Sequence, residues 1–236
     1  MKKTVAVLLL LAVVITGVFA DDAKPETKNL IHSITIDGGF DMLYSKGHED
    51  LPNDQNPREF TNSAFGAGAC IALTLDLSAV PNFLKEGWFG YIDGGVYFTG
   101  KVRIDDHDFP EEGDERNFTF LGAKSHVAIL RQVDFGIPVD FAFGGGFAFD
   151  MINLSYKHYD VVYTESVQNW GASLFIMADY NLGKHFAVTA VINPDFTFLT
   201  VVDKKQQYKG SEIITRYISF GFGFSLGARL GFKYIF

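Results

Sequence analysis

Six histidines, one cysteine and 28 acidic residues are the side chains with which this 236-residue chain could do chemistry. Nucleophilic catalysis needs a hydroxyl or thiol within hydrogen-bond reach of a base. Ser125 and His126 are neighbours in an alternating segment, so they point to opposite faces. His185 falls in a short turn, His32 in a polar leader, and His48, His107 and His158 in polar connections, which brings no imidazole to a nucleophile. Cys70 stands alone, which excludes an intrachain disulfide, a Cys/His zinc cluster and a thiol redox pair. Residues 102–116 gather Asp105, Asp106, Asp108, Glu111, Glu112, Asp114 and Glu115. Carboxylates can hold a hard divalent cation, but this spacing is not that of an EF-hand and Pro110 interrupts it, so the segment reads as a solvated loop. Residues 202–216 carry Lys204, Lys205 and Lys209, read as solvated or as a patch for lipid phosphates or the acidic loop. Tyr156, His158, Tyr159 and Tyr163 read either as a contact surface or as an aromatic girdle. Gly144-Gly145-Gly146 lacks the lysine and helix of a phosphate cradle and reads as a curved strand.

Strands must position these residues. In the closing segment, 217–236, one alternate set is Ile218, Phe220, Phe222, Phe224, Leu226, Ala228, Leu230, Phe232, Tyr234 and Phe236. The other set is mostly glycine, serine and base, so the period is two. A helix would lose about 1 kcal/mol at each of Gly221, Gly223, Gly227 and Gly231. Similar alternation recurs over 34–44, 61–77, 88–101, 117–131, 141–154, 170–182 and 186–201. Most of these segments reach the ~9–11 residues with which a tilted strand crosses a bilayer. Long polar connections at 45–60, 102–116, 155–169 and 202–216 alternate with shorter ones at 78–87, 132–140 and 183–185. The pattern predicts an all-β fold: a closed antiparallel up-and-down barrel of about eight strands, with one elaborate end and both termini at the plain end.

Before the barrel, Lys2 and Lys3, the apolar run from Val5 to Ile15 and Val18-Phe19-Ala20 predict a cleaved secretory signal peptide over 1–20. The run is short for a membrane span, and Asp21 and Asp22 follow it at once. Residues 21–33 read as a periplasmic leader and 34–236 as the barrel. Loss of two lysines with the signal takes the net charge from −8 to −10, which argues against nucleic-acid partners.

The interior of an eight-stranded barrel is just wide enough for its own side chains. Turned inward, the phenylalanine rows would overfill it, so the bulky face meets lipid and the small residues line the lumen. Closure then satisfies the backbone without water. This facing puts Asp37, Asp41, Asp93, Lys124, His126, Asp150, Asp179, Asp195, Arg229 and Lys233 inside, where opposite charges can pair. Charge at the lipid face instead costs ~2–4 kcal/mol for Arg or Lys at the midplane.

The end "RLGFKYIF" resembles the carboxy-terminal insertion signal of bacterial outer-membrane barrels, with Arg229, Gly231, Tyr234 and Phe236 at the motif positions. Over 34–236 the architecture is similar to small OmpW-like and OmpX-like barrels. The resemblance implies an integral outer-membrane protein; a monomer is the default expectation, and no cofactor or metal is expected. The same resemblance implies contact with membrane lipid and lipopolysaccharide or its equivalent, and recognition by the barrel-assembly machinery. The function expected is a narrow pore or conduit for small solutes. The alternatives are a structural or surface-interaction barrel acting through its outer loops and, more remotely, a lipid-modifying enzyme.

Overall fold

A computed structural model describes residues 29–49, 58–80, 83–110 and 118–236. The signal peptide, most of the leader and Glu111, Glu112, Asp114 and Glu115 lie outside the described residues. The strands are β1 (Ile31–Glu49), β2 (Arg58–Asp76), β3 (Trp88–Ile104), β4 (His107–Phe109), β5 (Phe118–Val133), β6 (Asp140–His158), β7 (Val161–Asn181), β8 (Phe186–Tyr208) and β9 (Ser211–Ile235). Eight long strands pair antiparallel in chain order, and β9 returns to pair with β1, which closes the barrel. The three-residue β4 folds back on the end of β3.

The outward face changes character along each strand. On β7, Trp170, Ala172, Leu174, Ile176, Ala178 and Tyr180 point out, an aromatic-bounded apolar run of bilayer length. Above Trp170 the outward positions are Gln168, Ser166 and Thr164. On β9 the exposed apolar row includes Ile218, Phe220, Phe222, Leu230, Phe232 and Tyr234. Above it, Arg216 pairs with Asp203 at 2.5 Å. The pairs Lys46–Glu59 and Lys205–Glu212, both at 2.6 Å, also lie above the band.

Several expectations need correction. His32 and Ser33 belong to β1 rather than to a leader. The connections expected at 155–169 and 202–216 are strands, with turns only at Tyr159-Asp160 and Lys209-Gly210. Lys209 and Gly210 both have positive φ, as a two-residue hairpin turn demands. The segment at 102–110 is no solvated loop. Asp105 and Asp106, with φ of 53° and 67°, form a tight turn that carries Val102, Ile104 and Phe109 into the barrel mouth.

Candidate functional site

Inward positions form layers along the barrel axis. At the outer end lies an apolar core of Leu43, Phe60, Val102, Ile104, Phe109, Ile152, Leu154, Val167 and Val202. The β3–β4 hairpin closes over it. Asp106 accepts hydrogen bonds from Thr61 N at 2.8 Å and Thr61 Oγ1 at 2.6 Å, and its own N donates to Thr61 O at 3.0 Å. Asp105 N donates to Asn62 Oδ1 at 2.9 Å. Lys204 Nζ reaches Asp105 at 2.5 Å and Glu165 at 3.8 Å. Lys204 thus bridges buried carboxylates, while Lys205 pairs with Glu212 at the surface. Tyr156 stacks on Tyr163 at 5.0 Å, and Tyr159 stands fully in solvent at the turn.

Below this core the structure gathers eight of the ten charged residues. Lys124 Nζ lies 3.1 Å from Asp41 and 2.9 Å from Asp195. His126 sits between two carboxylates, Nδ1 at 2.7 Å from Asp93 and Nε2 at 3.3 Å from Asp195. Arg229 Nη2 donates to Asp93 at 2.9 Å and to Asn193 Oδ1 at 3.1 Å, and Nη1 lies 3.7 Å from Asp37. Tyr97 OH donates to Asp150 at 2.8 Å, and Tyr91 OH to Asp93 at 3.1 Å. Each tyrosine leaves its ring in an apolar layer and puts its hydroxyl in the charged one. Ser173 and Ser225 donate to Asp195, the latter at 2.8 Å.

Glycine makes this packing possible in two places. A Cβ at Gly122 would lie 2.1 Å from the Tyr97 ring. At Gly227 it would lie 2.5 Å from Asn193 Oδ1 and 2.8 Å from Asp41 Oδ1. Tyr91, Tyr97, Asn193, Ser173 and Ser225 join the site without having been singled out by sequence. Inward parity with a neighbouring charge is the available signal: Asn193 and Asp195 are two apart, as are Tyr91 and Asp93.

A second apolar layer follows, of Tyr91, Leu130, Phe175, Met177 and Val191. Beneath it a vestibule of about 250 Å³ opens at the plain end. It holds the other two charged residues, Asp179 and Lys233, paired with each other. None of the central charged cluster lines it.

As chemistry, the cluster is a fixed network of five carboxylates with Lys124, His126 and Arg229, held by ion pairs and hydrogen bonds. Ser173 and Ser225 donate to Asp195 rather than to His126, so this arrangement lacks the nucleophile–base contact. In the closing strand Arg229 belongs to the cluster. A Cβ at Gly231 would lie 2.3 Å from Ile36 O, so a close approach of β1 needs that glycine. Tyr234 and Phe236 meet edge to face at 5.0 Å at the plain end.

No family model matches the chain, and no curated relative matches it. Among solved structures, a major outer membrane protein from Thermus thermophilus is similar at 14% identity and a TM-score of 0.56, covering 84% of this chain and 99% of that one. The outer membrane protein OprG from Pseudomonas aeruginosa is similar at 11% identity and a TM-score of 0.50, covering 87% of this chain and 96% of that one. With its lipid-facing band and closed ring of eight long strands, the chain has the fold of the small bacterial outer-membrane β-barrels.

Proposed function

We propose that this outer-membrane barrel is closed to solutes at rest and works at the cell surface, as a structural or surface-interaction protein acting through its outer extension. The observation that supports this reading is the stack of buried layers: apolar core, charged cluster and aromatic layer fill the interior in turn. A planar bilayer containing folded, purified protein should show a flat baseline. Steady conductance in every insertion would overturn the reading.

The second reading is a narrow conduit. It is favoured by the vestibule and by the β3–β4 hairpin, whose polar tip is held at the mouth by Thr61, Asn62 and Lys204. In that reading the charged cluster sets selectivity. Lys124→Ala would leave Asp41 and Asp195 less compensated and favour cations.

The barrel is a monomer without a catalytic role, set among outer-membrane lipid and lipopolysaccharide or its equivalent. Arg229, Gly231, Tyr234 and Phe236 serve as the signal for the assembly machinery. Phe236 is about one-third exposed in the finished barrel. Phe236→Ser should therefore lower the yield in cells, yet refold from urea into detergent like the parent. Normal assembly in cells with failed refolding would reverse that assignment.

A further inference from the structure

The vestibule at the plain end is two-faced. One wall comes from β7, β8, β9, β1 and β2. There Thr189 lies across from Asp179, Thr35 across from Lys233, and Ser33 across from Thr74. The other wall comes from β3, β5 and β6 and presents Phe89, Leu130 and Ala142, with Met177 of β7 beside them; Gln132, and Asp140 hydrogen-bonded to Asn181 at 2.7 Å, stand at the strand ends. A polar crescent thus faces an apolar one across a small cavity.

The polar crescent is poorly satisfied. Ser33, Thr35, Thr74 and Thr189 are all buried, 4% exposed or less. Their hydroxyl oxygens, and Asp179 Oδ1, make no hydrogen bond among the described residues. Lys233 Nζ bonds to Asp179 and to the Met177 sulfur at 3.4 Å, a weak acceptor, which leaves a third N–H without a partner among the described residues. Buried donors and acceptors in folded proteins are nearly all paired. Thr74, Asp179 and Lys233 line the cavity itself, and the other hydroxyls lie at the same level of the barrel.

We propose that this bowl binds a small zwitterion with an apolar side chain, the chemistry of a free apolar α-amino acid. Its carboxylate meets Lys233 Nζ and the Thr74 hydroxyl, its ammonium meets the Asp179 carboxylate, and its side chain lies against Phe89, Leu130 and Met177. Lys233 and Asp179 balance each other, and the remaining carboxylate and ammonium of the lining, Asp140 and Lys184, are one of each sign, so the site favours a guest that brings both charges and no net charge. The volume of about 250 Å³ falls below the ~300–1,000 Å³ of sites for drug-sized ligands, which sets the size class. The inference is independent of what the outer end does.

Methionine-methyl NMR of the full barrel in lipid nanodiscs, titrated with L-leucine, tests it. The Met177 methyl should shift saturably, while Met42 and Met151, which do not line the vestibule, stay in place. Asp179→Asn should weaken binding about tenfold or more, the loss of one hydrogen bond to a charged group. 4-Methylpentanoate, which lacks the ammonium, and isopentylamine, which lacks the carboxylate, should each bind about tenfold more weakly than leucine for the same reason. Thr74→Val provides a second, uncharged variant if Asp179→Asn fails to assemble, and it too should bind more weakly. No saturable shift at millimolar leucine, or an equal shift with glycerol, would overturn the proposal.

Discussion

Within the membrane band the barrel is apolar outside and charged inside. In the extension above Trp170 it is mostly polar outside, Ile213 and Ile214 apart, and mostly apolar inside, around one buried group of Lys204, Asp105 and Glu165. On β9 the outward row of phenylalanines gives way to Arg216 and Glu212, and on β7 the inward row changes from Ser173 and Asn169 to Val167. The two sections face different solvents, and each turns toward its solvent the residues that solvent accepts. The extension is thus organised like a small soluble barrel, and the band is its inverse. One continuous set of strands carries both.

Substitutions inside the two sections should separate them most widely. Asp195 is shared by Lys124, His126, Ser173 and Ser225. Asp195→Ala takes one of two carboxylates from each of Lys124 and His126 and the acceptor from Ser173 and Ser225, and should cost ~3–5 kcal/mol, read as a lower urea midpoint for loss of the folded band on gels. A loss below ~1 kcal/mol, the scale of an exposed pair, would mean water reaches the cluster. In the extension, Leu154→Ala should cost ~2–5 kcal/mol by opening a cavity in the outer core. Little change there would mean that the core is loosely packed.

The exteriors offer the complementary test. Val127 is exposed in the band, where Val127→Arg should cost ~2–4 kcal/mol if it lies near the midplane. Ile214 is equally exposed above the band, yet Ile214→Arg should stay within ~0.5 kcal/mol because it meets water. Equal penalties would place both residues in one solvent. Arg216→Ala removes an exposed pair with Asp203 and should cost ~0–1 kcal/mol.

The smallest expected effect concerns pH. A hydrogen bond from Arg103, Nε to Oδ1 at 2.8 Å, holds the Asp108 carboxyl below its ordinary range. A lowered value in the folded state means that the contribution is present at neutral pH and is lost as pH falls through it. Parent and Asp108→Asn should therefore differ slightly at neutral pH and converge in acid. Divergence on acidification would contradict the assignment.

The closed ring was legible because alternation is strong wherever lipid selects for it. The outer ends were not, because the rule inverts there. Val102, Ile104, Phe109, Val167 and Val202 sit in stretches whose polar neighbours made them look like loops, yet they build the outer core. Local irregularity also shifts the phase. Pairing slips between Thr99 and Val102 on β3, opposite Gly66 and Ala64, and between Thr197 and Leu199 on β8, so a parity counted from the band fails above it. At the site, charge identified residues for which lipid is costly. It gave no sign of the uncharged partners, whose roles depend on register between strands far apart in sequence, such as Tyr97 with Asp150.

The seam between β1 and β9 has a consequence for folding. Every other junction in the ring joins strands that follow one another along the chain, whereas Ser33 pairs with Ile235 and Phe236 N donates to His32 O at 3.0 Å. Closing a loop ten times longer than a hairpin costs roughly 2 kcal/mol more in chain entropy. That junction cannot form until β9 has been made, and among the pairings of the ring it joins the strands farthest apart in sequence. Topologically the molecule is a ring whose cut position is incidental to its geometry. Joining the adjacent barrel ends, at Ile31 and Ile235, and cutting the chain between Lys209 and Gly210 would leave the same barrel, with the late step moved to the junction of β8 and β9.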